Sequence, residues 1–341
     1  MHDNFIRVIV LWLLLHLGSS AFAKDLQLTD LIDEALKNNP EILAAQSRVE
    51  AAKYRIPQAK SLPDPMVMFG YQNEGWNDYT FGKMPDAQWM FSASQMFPFP
   101  GKRSLKGEMA EKDAESLQAS SEATRLAIIA RVKELYYDLT FAYKNIDLIK
   151  DKTSLFLRIE EAALARYSSG MAPQQEVLMA QTEKYMLLEK EEMQRQKIQA
   201  LEGMLNTTIG RDVKSPLGRP LEPNSTEYSY PMDDLIARAY ENSPEVKSKA
   251  KMIAGAEARV QMAKKEYYPD VTINGGVSKK RGMFDDMWSL TSTINIPLYY
   301  RTKQRQGVLE AESSLLEAKN ELESTKFMIS SALRDNYSML K

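Results

Sequence analysis

The chain has no cysteine, and its only two histidines, His2 and His16, lie within the first 23 residues. Those residues have the layout of a cleavable export signal: Arg7, an apolar run from Val8 to Leu17, and Ala21-Phe22-Ala23 ahead of Lys24. After cleavage the protein would hold neither residue type. That excludes nucleophile-plus-histidine catalysis, cysteine chemistry and zinc sites built on His or Cys. It also excludes disulfides and a lipid anchor carried on cysteine, so stability must come from burial or oligomerisation. No segment approaches the ~20 apolar residues of a spanning helix. Neither charge sign dominates: 44 basic and 46 acidic residues give a net charge of −2, and the leader removes one of each, Arg7 and Asp3. No polybasic stretch suggests a nucleic acid partner. The acids are spread along helical stretches rather than paired as on a pocket rim, so we expect neither an enzyme nor a bound cofactor.

What the chain does contain is a long internal repeat. Leu31-Ile32-Asp33-Glu34-Ala35-Leu36-Lys37-Asn38-Asn39-Pro40-Glu41 matches Leu235-Ile236-Ala237-Arg238-Ala239-Tyr240-Glu241-Asn242-Ser243-Pro244-Glu245 at an offset of 204. Further anchors follow in the same order: Pro63-Asp64 with Pro269-Asp270, Trp89 with Trp288, and Phe97-Pro98-Phe99 with Ile296-Pro297-Leu298. The period is far too long for a solenoid unit and indicates a duplicated supersecondary block. The expected organisation is a signal at 1–23, a first repeat at 24–210, a proline-rich linker at 211–231 and a second repeat at 232–341, incomplete at its C-terminus. Asn39 and Ser243 are N-cap types placed directly before a proline, which opens a helix of ~20 residues in each half. Pro57 falls inside the first of these helices and should kink it, at ~3 kcal/mol unless packing compensates.

Two strands follow in each half. Val67, Phe69 and Tyr71 alternate with Met68, Gly70 and Gln72, and Trp89, Phe91 and Ala93 with Met90, Ser92 and Ser94. In the second half Val271, Ile273, Gly275 and Val277 alternate with Thr272, Asn274, Gly276 and Ser278. Trp288, Leu290, Ile294 and Ile296 alternate with Ser289, Thr291, Thr293 and Asn295. Each strand thus has one apolar and one small or polar face. A soluble sheet packed on one side would show the same alternation. Two features favour a membrane: lengths near the ~9 to 11 residues that cross a bilayer obliquely, and tryptophans at strand starts, where an interfacial girdle would lie. On that reading Val67, Phe69, Tyr71, Trp89, Phe91, Val271, Ile273, Trp288 and Leu290 face lipid or its interface, and Glu74 to Ala87 and Lys279 to Met287 are exposed hairpin loops. Four strands cannot close a barrel, so insertion requires oligomerisation.

The remaining sequence predicts long helices. From Gly101 to about Ser168 there is no proline, enough for a helix of ~100 Å. Its middle carries Ile128, Val132, Leu135, Leu139, Ala142, Ile146 and Ile149 at alternating spacings of four and three. That is a heptad seam against a partner helix, expected to be Pro173 to about Ile209 returning after Tyr167-Ser168-Ser169-Gly170-Met171-Ala172-Pro173.

The run Arg166-Tyr167-Ser168-Ser169-Gly170, followed by Glu176-Val177-Leu178-Met179-Ala180-Gln181, resembles the helical-hairpin tip of TolC-type outer-membrane efflux proteins. Leu205-Asn206 through Ile209-Gly210 is similar to the end of the returning helix in that family, and the duplicated order of the anchors fits it over nearly the whole chain. The resemblance implies a mainly α protein with a small β part, four strands per protomer in a trimer-shared transmembrane β-barrel, and an α-helical barrel tunnel. It implies an outer-membrane location with a large periplasmic portion, a homotrimer, and a tripartite efflux system with a periplasmic adaptor and an inner-membrane pump. It places Arg166, Tyr167, Ser169, Gly170, Pro173 and Gln174 at or beside the adaptor-contacting tip. A second hairpin copied from the first would end beyond residue 400; the sequence stops at Lys341, so gate residues are not assignable.

Ser94-Gln95-Met96-Phe97-Pro98-Phe99-Pro100-Gly101-Lys102-Arg103 resembles the strand-to-helix junction of the heavy-metal branch of the family. Thioethers bind soft cations, and of the nineteen methionines Met66, Met68, Met90 and Met96 alternate on the face assigned to the lumen. The alternative to a channel is a periplasmic coiled-coil adaptor or structural protein without a barrel of its own, which would carry one hairpin flanked by small β-domains.

Overall fold

The computed structural model describes residues 26–222 and 230–340. The export signal and part of the linker lie outside these residues. The elements run α1 (Leu28–Asn38), α2 (Pro40–Lys60), β1 (Met66–Gln72), β2 (Gln88–Phe97), α3 (Lys102–Ser168), α4 (Gln174–Ile209), α5 (Met232–Asn242), α6 (Pro244–Lys265), β3 (Asp270–Lys279), β4 (Met287–Asn295) and α7 (Gln304–Leu340). The helix, strand, strand, helix order recurs in both halves. Both predicted caps form: Asn39 Oδ1 accepts from the amides of Glu41 and Ile42 at 2.8 and 3.1 Å, and Ser243 Oγ from Val246 at 3.4 Å. The helix continues through Pro57 to Lys60, although the ring removes one backbone donor there. The last long helix begins only at Gln304, because residues 298–303 form a turn in which Tyr299 O accepts from Thr302 and Lys303.

By spatial proximity the chain divides into two units: residues up to Leu43 with Arg125–Glu227, and Ala44–Thr124 with the residues from Tyr228 onward. In the first unit the heptad seam of α3 is the core. Val132, Leu139 and Ala142 are fully buried, Ile128, Leu135 and Ile146 nearly so, and Ile149 is half-buried. They pack with Ile198, Leu201, Leu205 and Ile209 of α4, the expected partner, and also with Leu31 and Ala35 of α1 and Ile42 at the start of α2. The contribution of α1 is not visible in the heptad pattern. Two features lock α1 to the end of α4. Asn39 Nδ2 donates to Thr208 O at 2.7 Å, and Arg211 grips Glu34 through two bonds of 2.6 and 2.5 Å. At Gly210, with φ +85, a Cβ would sit 2.6 Å from Asn38 O, so both conformation and contact demand glycine. The linker is tied to this unit as well. Leu217 packs on the core, Leu26 bridges to Pro220, and the buried Tyr136 hydroxyl donates to Leu26 O and Leu221 O.

In the second unit the four strands form one antiparallel meander in the order β1-β2-β3-β4. The central β2–β3 pairing therefore joins a strand of the first repeat to one of the second. Three strands have 9 or 10 residues, but β1 has only seven, shorter than expected. The loop after β1 is not a simple exposed hairpin: Asn73 Oδ1 accepts from the Thr80 amide and hydroxyl, and Thr80 and Ala87 are buried. Beside the sheet, α5 and α6 pack against α7, with the Tyr240 hydroxyl donating to Lys326 O at 3.2 Å and Lys249 paired to Glu321 at 2.7 Å.

Candidate functional site: a two-faced sheet and a helical tip

Side chains at opposed positions of an antiparallel pair share a face, so the register sorts every strand residue. One face carries the rows Val67–Ala93–Gly275–Leu290, Phe69–Phe91–Val277–Trp288 and Phe97–Val271–Ile294, with Tyr71–Trp89 at the loop end and Ile273 opposite Gln95. All nine residues expected to face lipid or its interface lie on this side. It is apolar yet uncovered: Val67 is 81 %, Leu290 70 % and Trp288 79 % exposed. Neither β1 nor β4 has a strand partner on its outer edge among the described residues. Sheets of soluble proteins bury such a face and blunt such edges.

Aromatic residues gather at both ends of the sheet. At the loop end Trp89 lies 4.9 Å from Tyr71 and 5.1 Å from Phe69, and Tyr79 stacks on Tyr71 at 5.1 Å. At the helix end Phe99 stacks on Tyr268 at 4.5 Å under the Lys265 ammonium, and Tyr299 and Tyr300 are exposed. An aromatic band thus stands at each end of the strands. The second band was missed because its residues lie just outside the strands; aromatic clustering within a few residues of a strand end would have revealed it.

The opposite face is small and polar apart from methionine. Its rungs are Gly70–Met90–Ser278–Met287, Met68–Ser92–Gly276–Ser289, Met66–Ser94–Asn274–Thr291 and Met96–Thr272–Thr293. The four methionines singled out by alternation occupy this face, and Met287 joins them. Its one carboxylate is Asp270, at the helix end, which is held by Lys102 Nζ at 3.0 and 3.1 Å and accepts from the Phe99 amide at 2.7 Å. Lys102 is only 3 % exposed and also donates to Tyr268 O, so this pair pins the β2-to-α3 turn to the start of β3. Gly101, at φ +94, makes that turn. Sequence reasoning passed over Lys102 because a lysine one residue into a helix ordinarily points to water.

In the other unit, the residues expected at the tip are brought together in the turn between α3 and α4. Met171 N donates to Arg166 O at 2.8 Å and Gly170 N to Tyr167 O at 3.0 Å, with Gly170 at φ +70. This is a Schellman cap, and the left-handed residue explains the glycine. Pro173, extended at φ −74 and ψ 152, starts α4 ahead of Gln174. The Ser169 hydroxyl is turned back to Ala165 O at 2.8 Å, whereas the Tyr167 ring stays 44 % exposed. Arg166 reaches across the hairpin to Glu176 at 3.2 Å, a pairing that spacing alone did not suggest. Further along the arms Lys184 holds Glu160 at 2.7 Å, and that hydrogen bond keeps the Glu160 carboxyl below the usual carboxylate range. The Tyr143 hydroxyl is pushed up to about 12 by burial and by its bond to Glu202 at 2.7 Å.

No described helix is long and apolar enough to cross a membrane. An uncovered apolar four-strand antiparallel sheet with open edges, in a mostly helical chain, defines the class of fold: that of the TolC-type channels. The solved transmembrane channel CusC has this fold, with a TM-score of 0.74 at 15% identity over 93% of this chain and 77% of CusC. So does the outer membrane protein VceC of Vibrio cholerae, with a TM-score of 0.72 at 19% identity over 88% and 75%.

A family model described as outer membrane efflux protein matches residues 31–210 and 235–341, and the chain belongs to that family. Among curated relatives, the solvent efflux pump outer membrane protein SrpC of Pseudomonas putida is 25% identical over 315 residues, 85% of this chain. The cation efflux system protein CusC of Escherichia coli K12 is 22% identical over 321 residues, 86% of this chain. The chain spans 65% of the length of SrpC and 66% of that of CusC.

Proposed function

We propose that three copies of this chain close a twelve-strand barrel in an outer membrane and line a duct with their helices. The duct passes pump-delivered substrates as the outer component of a tripartite efflux system. The observation that carries this is the four-stranded meander, apolar and uncovered on one face and unpaired at both edges. An open edge in lipid leaves backbone groups unsatisfied at several kcal/mol each, and joining β1 of one copy to β4 of the next removes the cost. A second row supports the association: Tyr137, Phe141, Leu148 and Leu155 lie exposed on α3 at spacings of four, seven and seven, ready for a neighbouring helix. With no cysteine in the chain to carry a lipid, attachment to the membrane on this reading is through the barrel. At the hairpin tip Arg166, Tyr167, Ser169 and Gln174 would meet a periplasmic adaptor, while Gly170 and Pro173 shape the turn. An adaptor role for the chain itself is not favoured, since adaptor architecture offers no place for a four-strand sheet shared by both repeats.

The test is assembly in a Gram-negative-type host, followed by membrane fractionation and cross-linking in detergent. Wild type should appear as an outer-membrane trimer. Phe91→Arg and Leu290→Arg, which put charge on the lipid face at ~2 to 4 kcal/mol each near the midplane, should remove it. Ser92→Arg and Ser289→Arg, on the opposite face, should leave it. A wild type that is monomeric and soluble in the periplasm, or equal loss from both pairs, refutes the barrel.

A further inference from the structure

Every methionine in the strands, Met66, Met68, Met90, Met96 and Met287, lies on the polar face of the sheet, and none lies among the aliphatic and aromatic residues of the other face. If these side chains served only as flexible hydrophobes they would belong with the apolar set. The register places them more tightly than that. Four successive rungs, marked on β2 by Met96, Ser94, Ser92 and Met90, each hold at least one thioether: Met96 on the first, Met66 on the second, Met68 on the third, and Met90 with Met287 on the fourth. Rungs two residues apart are ~7 Å apart along the strand, so the methionine positions, on β1, β2 and β4, follow one another from the helix end toward the loop end. The thioethers are accessible: Met66 is 67 %, Met68 54 % and Met287 55 % exposed.

The chemistry of this wall is selective. Its only carboxylate, Asp270, is occupied by Lys102. Among the described residues no three His, Cys, Asp or Glu side chains gather to hold a metal. Hard and borderline divalent cations therefore find no ligand set here, whereas thioethers favour soft d¹⁰ monovalent cations without needing a fixed charge. We propose that the polar face of the sheet is a methionine ladder that holds soft monovalent cations, of the Cu(I) or Ag(I) kind, weakly and in succession as cargo. Each rung binds through sulfur and passes the ion on by ligand exchange, with no change in oxidation state. Weak repeated sites suit conduction, because an ion must leave each one. The proposal rests on the duct reading for its direction of transport, but not for the binding itself.

The experiment separates the two. The full chain, folded in detergent, is dialysed to equilibrium against silver nitrate in chloride-free buffer, and the silver held per chain is measured. Three proteins are compared: wild type; a ladder variant with Met66, Met68, Met90, Met96 and Met287 changed to Leu; and a control with the exposed helical Met179, Met186, Met193 and Met204 changed to Leu. Far-ultraviolet circular dichroism confirms that all three are folded, and potassium conductance is recorded for each in planar bilayers. The expected result is loss of silver from the ladder variant alone, with zinc nitrate failing to displace silver from wild type. Equal silver on wild type and ladder variant, loss in the helical control instead, or displacement by zinc overturns the ladder. Silver binding confined to the ladder in a protein that never conducts upholds the site and removes the duct.

Discussion

The two repeats begin with matching eleven-residue stretches, identical at six positions, yet the helices these residues form end in different surroundings. In α1, Leu31 and Ala35 are buried at 1 % and 0 % exposure, against α3 and the end of α4. In α5 their counterparts Leu235 and Ala239 are half-buried, and the helix has no fully buried residue. Asn39 caps α2 and also reaches Thr208 O, whereas Ser243 caps α6 through one bond to Val246. The difference lies in what covers the helix. The returning arm α4 lays Leu201, Leu205 and Ile209 beside α1, while α5 has only α6 and α7 against it among the described residues. Amphipathic spacing therefore specifies which face a helix will bury, and a second element decides how completely.

The comparison can be broken by paired substitutions. Leu31→Ala should destabilise the first unit by ~2 to 5 kcal/mol, as for a fully buried leucine, and Leu235→Ala in the second by about half as much or less, read from urea denaturation in detergent followed by circular dichroism. Equal losses would mean that α5 is covered as fully as α1. Asn39→Ala should cost ~2 kcal/mol, because it removes a cap and strands a carbonyl, against ~1 kcal/mol for Ser243→Ala, which removes a cap alone. A ratio of one would leave the bridge to Thr208 without energetic weight. The smallest effect concerns the hairpin arms. Because Lys184 lowers the Glu160 carboxyl, this pair stabilises the fold above the ordinary carboxylate pKa and is lost as the pH falls through the depressed value. Glu160→Gln should therefore melt below wild type at pH 7, with the gap closing toward pH 3; a gap that widens in acid would contradict the assignment.

Much of the architecture was legible before the structure. The heptad seam of α3, the caps at Asn39 and Ser243, the glycine turn at the tip and the alternation of all four strands are local signals. They arise from backbone periods of 3.6 and 2 and from capping chemistry within a few residues, so a linear reading reaches them. The seven-residue length of β1 and the ordered loop after it were less visible, because Asn73 and Thr80 organise that segment through side-chain bonds that alternation does not encode.

By itself, then, the sequence determined the kind of each element, the face each strand presents, the duplication and the residues of the hairpin tip. Only the tertiary structure decided which strands neighbour one another and in what register, and hence that the strand methionines occupy successive rungs. It also decided that Lys102 is buried against Asp270, 168 residues away, and that Asn39 bridges 169 residues to Thr208. Those outcomes depend on contacts between distant segments, whose pairing is selected by burial and register across the whole fold rather than by any local pattern.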